Sequence, residues 1–193
     1  MPAAAAVPRR NVDGNAQTTG IAAGGSIENR SRIVLEVAEA VATVFGADRV
    51  GIRLSPFGVA NGSGEDEPLP LYTYVIERLA RLDLAYLHLI EPRASGAGQA
   101  EVDHQGVPLA SELFRSHWPG VLIAAGNYRP DSAAAAVAAG RVDAIAFGRL
   151  FIANPDLPAR TRQGLDLNTY DRSTFYGGGA EGYVDYQTFA MEA

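Results

Sequence analysis

Four short apolar runs, separated by segments of helical periodicity, constrain this chain more than any other feature of its sequence. They are Arg49 to Leu54 (RVGIRL), Ala85 to Ile90 (AYLHLI), Val121 to Ala125 (VLIAA) and Val142 to Phe147 (VDAIAF). Their length and aliphatic content are those of buried strands. Such strands alternating with helices predict a parallel sheet with right-handed crossovers. Ahead of the first strand, Ile27, Ile33, Val34, Val37, Val41 and Val44 recur at helical spacing, with Ser26 as N-cap and Gly46 as stop. Helices are expected over Leu71 to Leu82, with Pro68 and Pro70 near its start, and over about Leu109 to His117. Asp131 is expected to cap an alanine-rich helix ending at Gly140, and Asn154-Pro155-Asp156 to open a short helix to about Gln163. Two architectures compete: an open doubly wound sheet, or a portion of a (β/α)8 barrel. A complete barrel takes ~250 residues and eight strands. With 193 residues and four apparent strands, the chain is a small open sheet or half of a barrel.

Composition removes whole classes of chemistry. There is no cysteine, hence no disulfide, thiol nucleophile, thiolate zinc site or iron–sulfur cluster. The 16 basic residues are all arginine, which excludes a lysine Schiff base and any phosphate loop ending in lysine. A net charge of −6 with no basic stripe argues against nucleic-acid binding. No apolar run approaches the ~20 residues of a membrane helix. Met1 to Val7 does not read as a secretory signal, because Arg9 and Arg10 follow the apolar stretch instead of preceding it. The expected setting is the cytoplasm. Residues 1–23 are expected to be irregular, and the last 30 or so residues, rich in Gly and Tyr, to form a loop or tail.

In both architectures ligands bind beyond the carboxyl ends of the strands. Those ends carry Arg53 and Ser55 on the first strand, His88 and Glu91 on the second, Gly126 and Asn127 on the third, and Gly148 and Arg149 on the fourth. A glycine directly after a strand lets backbone N–H groups approach an anion, and an arginine fork suits a phosphate. The helices after Pro130 and Asn154 are placed to aim their N-termini at the same spot. The plainer reading makes both glycines tight turns and Arg149 a surface ion pair. Arg53, inside an apolar strand, reads either as half of a buried salt bridge or as a cation facing a cofactor ring. His88 reads as a satisfied layer residue, His104 and His117 have no partners at metal-ligand spacing, and Glu65-Asp66-Glu67 reads as a solvated loop.

Several segments together resemble the C-terminal half of the Old Yellow Enzyme family, FMN-dependent ene-reductases on a (β/α)8 barrel, and most closely its N-ethylmaleimide reductase-like branch. They are GGSIENRSRIVLEV (Gly24 to Val37), VGIRLSPFG (Val50 to Gly58), AYLHLIEPR (Ala85 to Arg93), LIAAGNY (Leu122 to Tyr128), DAIAFGRLFIANPDLPAR (Asp143 to Arg160) and FYGGGAEGYVDY (Phe175 to Tyr186). The resemblance covers about residues 24–189 in family order and implies the last four βα units of the barrel. It further implies that Arg53 contacts the flavin N1/O2 edge. Ala125, Gly126 and Asn127, with Gly148 and Arg149, would hold the FMN phosphate, and Phe175 and Tyr176 would lie near the dimethylbenzene edge and the substrate mouth. The implied activity passes a hydride from NAD(P)H through FMN to an activated alkene or similar small electrophile.

The departures are as informative. The family's first, third and fourth strands supply a Thr or Cys and a Gln to the flavin, a His pair or His-Asn pair to the substrate carbonyl, and a Tyr proton donor shortly after. None of those strands is found here, and upstream of Gly24 the match stops at NAQTTGIAA. The expectation is a truncated half-barrel with an unrelated start. Its exposed edges imply self-association or a complementary half-barrel chain. The alternative function is an inactive remnant keeping at most part of an FMN or phosphate site.

Overall fold

The computed structural model describes residues 25–58, 64–92, 108–176 and 178–189; His104, the N-terminal 23 residues and most of the loop from Glu91 to Val107 lie outside them. The order of elements is α1 (Ile27–Phe45), β1 (Gly51–Leu54), α2 (Pro68–Ala80), β2 (Tyr86–Ile90), α3 (Ala110–Phe114), β3 (Leu122–Ala125), α4 (Pro130–Ala138), β4 (Ala144–Ala146), α5 (Arg149–Ala153) and α6 (Leu157–Gln163). The strands pair in parallel in the order β1-β2-β3-β4, so each crossover moves one place along the sheet. That monotonic order is an arc of a barrel. A doubly wound sheet would reverse direction at a switch point.

Alternation along the strands separates two faces. Leu54, Leu87, Leu89, Leu122 and Ala124 point to the helix side and are buried. There they meet Val75, Ile76 and Leu79 of α2, Phe114 of α3, Trp118, and Ala133 and Ala136 of α4. Each fully buried Leu or Phe in this layer contributes about 1.5–3 kcal/mol. The register places Arg53 beside His88, His88 beside Ile123, and Ile123 beside Ala144 on the opposite face. No helix among the described residues covers that face, and Arg53 and Tyr86 are exposed on it. At the amino ends of the strands, Asp143 accepts from the Leu122 amide (2.8 Å) and from Arg115 (2.7 Å). Those two bonds, the amide first, hold its carboxyl below the usual carboxylate range.

Ser26 and Gly46 bound α1 as expected: the serine hydroxyl accepts from the Asn29 amide, and the glycine closes the helix at φ 88°. One side of α1 packs on α2, while Ile33, Val37, Val41, Val44 and Phe45 form an exposed apolar stripe on another. Elsewhere the boundaries are corrected. The α2 helix begins at Pro68, because both prolines fit a first turn whose N–H groups need no helical partner. Arg129, not Asp131, is the N-cap of α4; Pro130 takes the first helical position and carries Asp131 into the first turn. Five residues of the apolar stretch after β4 form α5, which the sequence reading did not separate. Glu65 is not simply solvated, since it is bonded to Arg30 of α1. The C-terminal segment is tied down by Arg160. Only 5% exposed, it donates to Asp156 (2.7 Å) and to the carbonyls of Asp166 (2.6 Å) and Gln187 (2.8 Å).

Candidate functional site

A cavity of about 460 Å³ opens at the carboxyl ends of the strands. All eight residues that the resemblance assigns to the cofactor line it: Arg53, Ala125, Gly126, Asn127, Gly148, Arg149, Phe175 and Tyr176; Ser55, His88 and Glu91, the other strand-end residues, do not. They arrive from β1, from the turns after β3 and β4, and from the C-terminal segment, so the two glycine turns face one space.

The turn after β3 reverses the chain with Gly126 at φ 129° and Asn127 at φ 53°. The first value suits glycine, and asparagine tolerates the left-handed region better than most residues. Arg149 opens α5 at the neighbouring turn. Its Nη2 donates to Asn127 Oδ1 (3.3 Å) and its Nη1 to the Tyr170 hydroxyl (3.3 Å), with the guanidinium 5.5 Å from the Tyr170 ring centre. Arg149 is therefore tied to neighbours within the site and lines the cavity. Phe175 packs against Tyr170 at 5.8 Å and against Tyr176 at 6.1 Å, building an aromatic wall.

Other expectations change. Arg53 is exposed on the open face, and among the described residues no carboxylate pairs with it, so the buried salt bridge is ruled out. His88 is a layer residue but not a satisfied one: its Nε2 is enclosed without a hydrogen-bond partner among the described residues. Burial first, and the Arg53 charge second, lower the His88 pKa below its usual value. His117 bonds to Glu77 at 2.9 Å. The α6 helix contributes no residue to the cavity; it is α5, through Arg149, that reaches it. Sequence reasoning missed Tyr170 and Tyr128. Tyr170 lies in a stretch without periodicity, but Tyr128 directly follows the Gly126–Asn127 pair and was within reach.

Fold and cavity together define a class: an arc of a (β/α)8 barrel with a polar, arginine-bearing cavity at the carboxyl ends of its strands, where such barrels bind their ligands. Residues 15–168 match the NADH:flavin oxidoreductase / NADH oxidase family, and the chain belongs to that family. It is 42% identical over 179 residues to the flavin oxidoreductase hxnT of Emericella nidulans, covering 84% of this chain and 46% of the relative. It is 43% identical over 172 residues to 12-oxophytodienoate reductase 2 of Arabidopsis thaliana, covering 88% of this chain and 45% of the relative. Morphinone reductase in complex with tetrahydroNAD superposes with a TM-score of 0.76 at 46% identity, covering 93% of this chain and 46% of that one. The old yellow enzyme from Trypanosoma cruzi superposes with a TM-score of 0.80 at 32% identity over the same shares. The chain spans a little under half the length of these relatives, and its fold is part of their α/β barrel.

FMN is the cofactor of this family, with a nicotinamide nucleotide as reductant. The cavity suits the phosphate end of that group. A Cβ built on Gly148 meets no atom within 4 Å, so the glycine opens onto free space that any side chain would begin to fill. Arg149 supplies a forked donor beside that space, of the kind that recognises phosphate.

Proposed function

We propose that this chain is the cofactor-phosphate half of an FMN-dependent oxidoreductase of the ene-reductase type, acting in the cytoplasm. One observation carries the reading: residues 53, 125–127, 148–149 and 175–176, far apart in sequence, line a single cavity. Gly148 leaves room for the phosphate, Arg149 donates to it, and the Gly126–Asn127 turn presents backbone amides from the other side. Arg53 supplies positive charge on the sheet face toward which the flavin ring would extend, and Phe175 and Tyr176 wall the outer edge. When bound, FMN supplies the hydride chemistry between NAD(P)H and an electron-poor alkene. The chain's own residues bind and orient it.

A second reading is a half-barrel that retains part of the flavin site and turns nothing over. It draws support from the cavity itself, whose lining among the described residues contains no histidine to hold a substrate carbonyl. The apolar stripe on α1 and the uncovered sheet face support association with a second copy or with a chain supplying the other strands. Purified protein assayed for released flavin, and for NADPH oxidation with an enone, separates the readings. Yellow protein that oxidises NADPH supports the enzyme. Inert protein, whether yellow or colourless and flavin-free, supports the remnant and refutes the enzyme.

A further inference from the structure

The densest polar cluster beside the cavity centres on a residue that does not line it. Glu91, directly after β2, is 1% exposed. Its Oε2 accepts from the amides of Ala110 (2.6 Å) and Ser111 (3.4 Å), and its Oε1 from the Ser111 hydroxyl (2.5 Å) and the Tyr128 hydroxyl (2.9 Å). Four donors on two oxygens is the arrangement a buried carboxylate needs. Holding the start of α3 would require only the first three. The fourth bond crosses 37 residues of sequence to the loop that borders the cavity.

That loop is gripped at both ends of its turn. The Glu91 amide donates to the Ala125 carbonyl at 2.8 Å, just before Gly126. The Glu91 side chain holds Tyr128, just after Asn127, and Tyr128 is only 6% exposed. Between these anchors Asn127 sits at φ 53°, a left-handed conformation open to asparagine, which the bonds on either side hold in place. Asn127 Oδ1 then accepts from Arg149, and Arg149 donates to Tyr170. A continuous line thus runs from the buried carboxylate through both turns to the C-terminal segment.

We propose that Glu91 is a positioning residue for anion binding: through Tyr128 it fixes the Gly126–Asn127 turn, and with it Arg149, in the conformation that receives the nucleotide phosphate. The inference rests on the flavin-nucleotide reading above. It adds that phosphate affinity is set by a carboxylate outside the cavity, whose own charge is spent on four donors.

The test compares FMN with riboflavin, which lacks the phosphate, by flavin fluorescence titration of the purified chain. Tyr128→Phe keeps the ring and removes the hydroxyl that donates to Glu91; Glu91→Gln keeps the shape and puts a donor where an acceptor is needed. Tyr128→Phe should weaken FMN binding about tenfold, the scale of one hydrogen bond to a charged group, while riboflavin binding changes less than about twofold. Glu91→Gln should weaken FMN at least as much. If that variant does not fold, Tyr128→Phe decides alone. Unchanged FMN affinity in Tyr128→Phe overturns the proposal. So does an equal loss for FMN and riboflavin, which would mark a merely structural role. A wild-type chain that binds FMN no more tightly than riboflavin overturns the flavin-nucleotide reading itself, and the positioning role with it.

Discussion

Replacing Gly148 by valine separates stability from phosphate binding. The residue sits at φ −100° and ψ −79°, a negative-φ conformation at the edge of the right-handed region, so the substitution requires no left-handed backbone. A Cβ there meets nothing within 4 Å. The unliganded fold should therefore tolerate the substitution at a cost of about 1 kcal/mol or less in urea unfolding, since a β-branched residue meets some backbone strain there but no steric clash. The cost falls on the ligand, because the new side chain occupies the space that the phosphate needs against the backbone. Losing one hydrogen bond to a charged group costs about 1.5–3 kcal/mol. At about 1.4 kcal/mol per decade, FMN binding weakens roughly 10- to 100-fold. Calorimetric titration with FMN and riboflavin reads the effect, which should appear for FMN alone. A Gly148→Val chain that binds FMN as tightly as wild type would show that the phosphate does not lie at this turn, and the assignment of Gly148 would be refuted.

Other expectations address the fold and the faces it leaves open. Leu89→Ala, at a side chain with 0% exposure on the helix-covered face, should cost about 2–5 kcal/mol in urea unfolding; a loss below 1 kcal/mol would contradict the packing described. His88, its pKa lowered by burial and Arg53, resists protonation when folded, so its contribution to stability falls as pH drops below its unfolded value near ~6.5. His88→Gln should accordingly lose less stability between pH 7.5 and 5.5 than wild type does, whereas equal losses would remove His88 from the pH response. Val37→Glu, on the exposed stripe of α1 (52% exposed), should shift sedimentation toward the monomer if copies associate there, and an unchanged distribution would place any association elsewhere.

Legibility in the sequence followed the range of the interaction. Ser26 and Gly46 bounded α1 correctly because capping is settled within a few residues. The four strands were visible because their runs are buried on the helix side, and their parallel pairing followed from the intervening helices. Boundaries failed where neighbouring signals competed. Pro130 took the position that would have made Asp131 a cap, and RLFIA, left unassigned between the fourth strand and the helix expected after Asn154, forms a short helix of its own. Environment was harder still. Arg53 looked buried in an apolar strand but lies on the uncovered face, and Glu65 looked solvated but pairs with Arg30. Arg53, Gly126, Asn127, Gly148 and Arg149 were legible as strand-end residues, and Ala125, Phe175 and Tyr176 only through resemblance to a family, whereas the Glu91–Tyr128 bond joins residues whose meeting no local pattern announces.

The account depends on a phosphate lying between the turns that follow β3 and β4, and phosphorus-31 NMR of FMN titrated with the purified chain tests this most directly. The predicted result is a saturable shift and broadening of the FMN phosphate resonance, reversed by excess inorganic phosphate and sharply reduced in Arg149→Met. A resonance that stays at its free position while the flavin ring signals respond would place the ring, and not the phosphate, on this protein and would contradict the central claim.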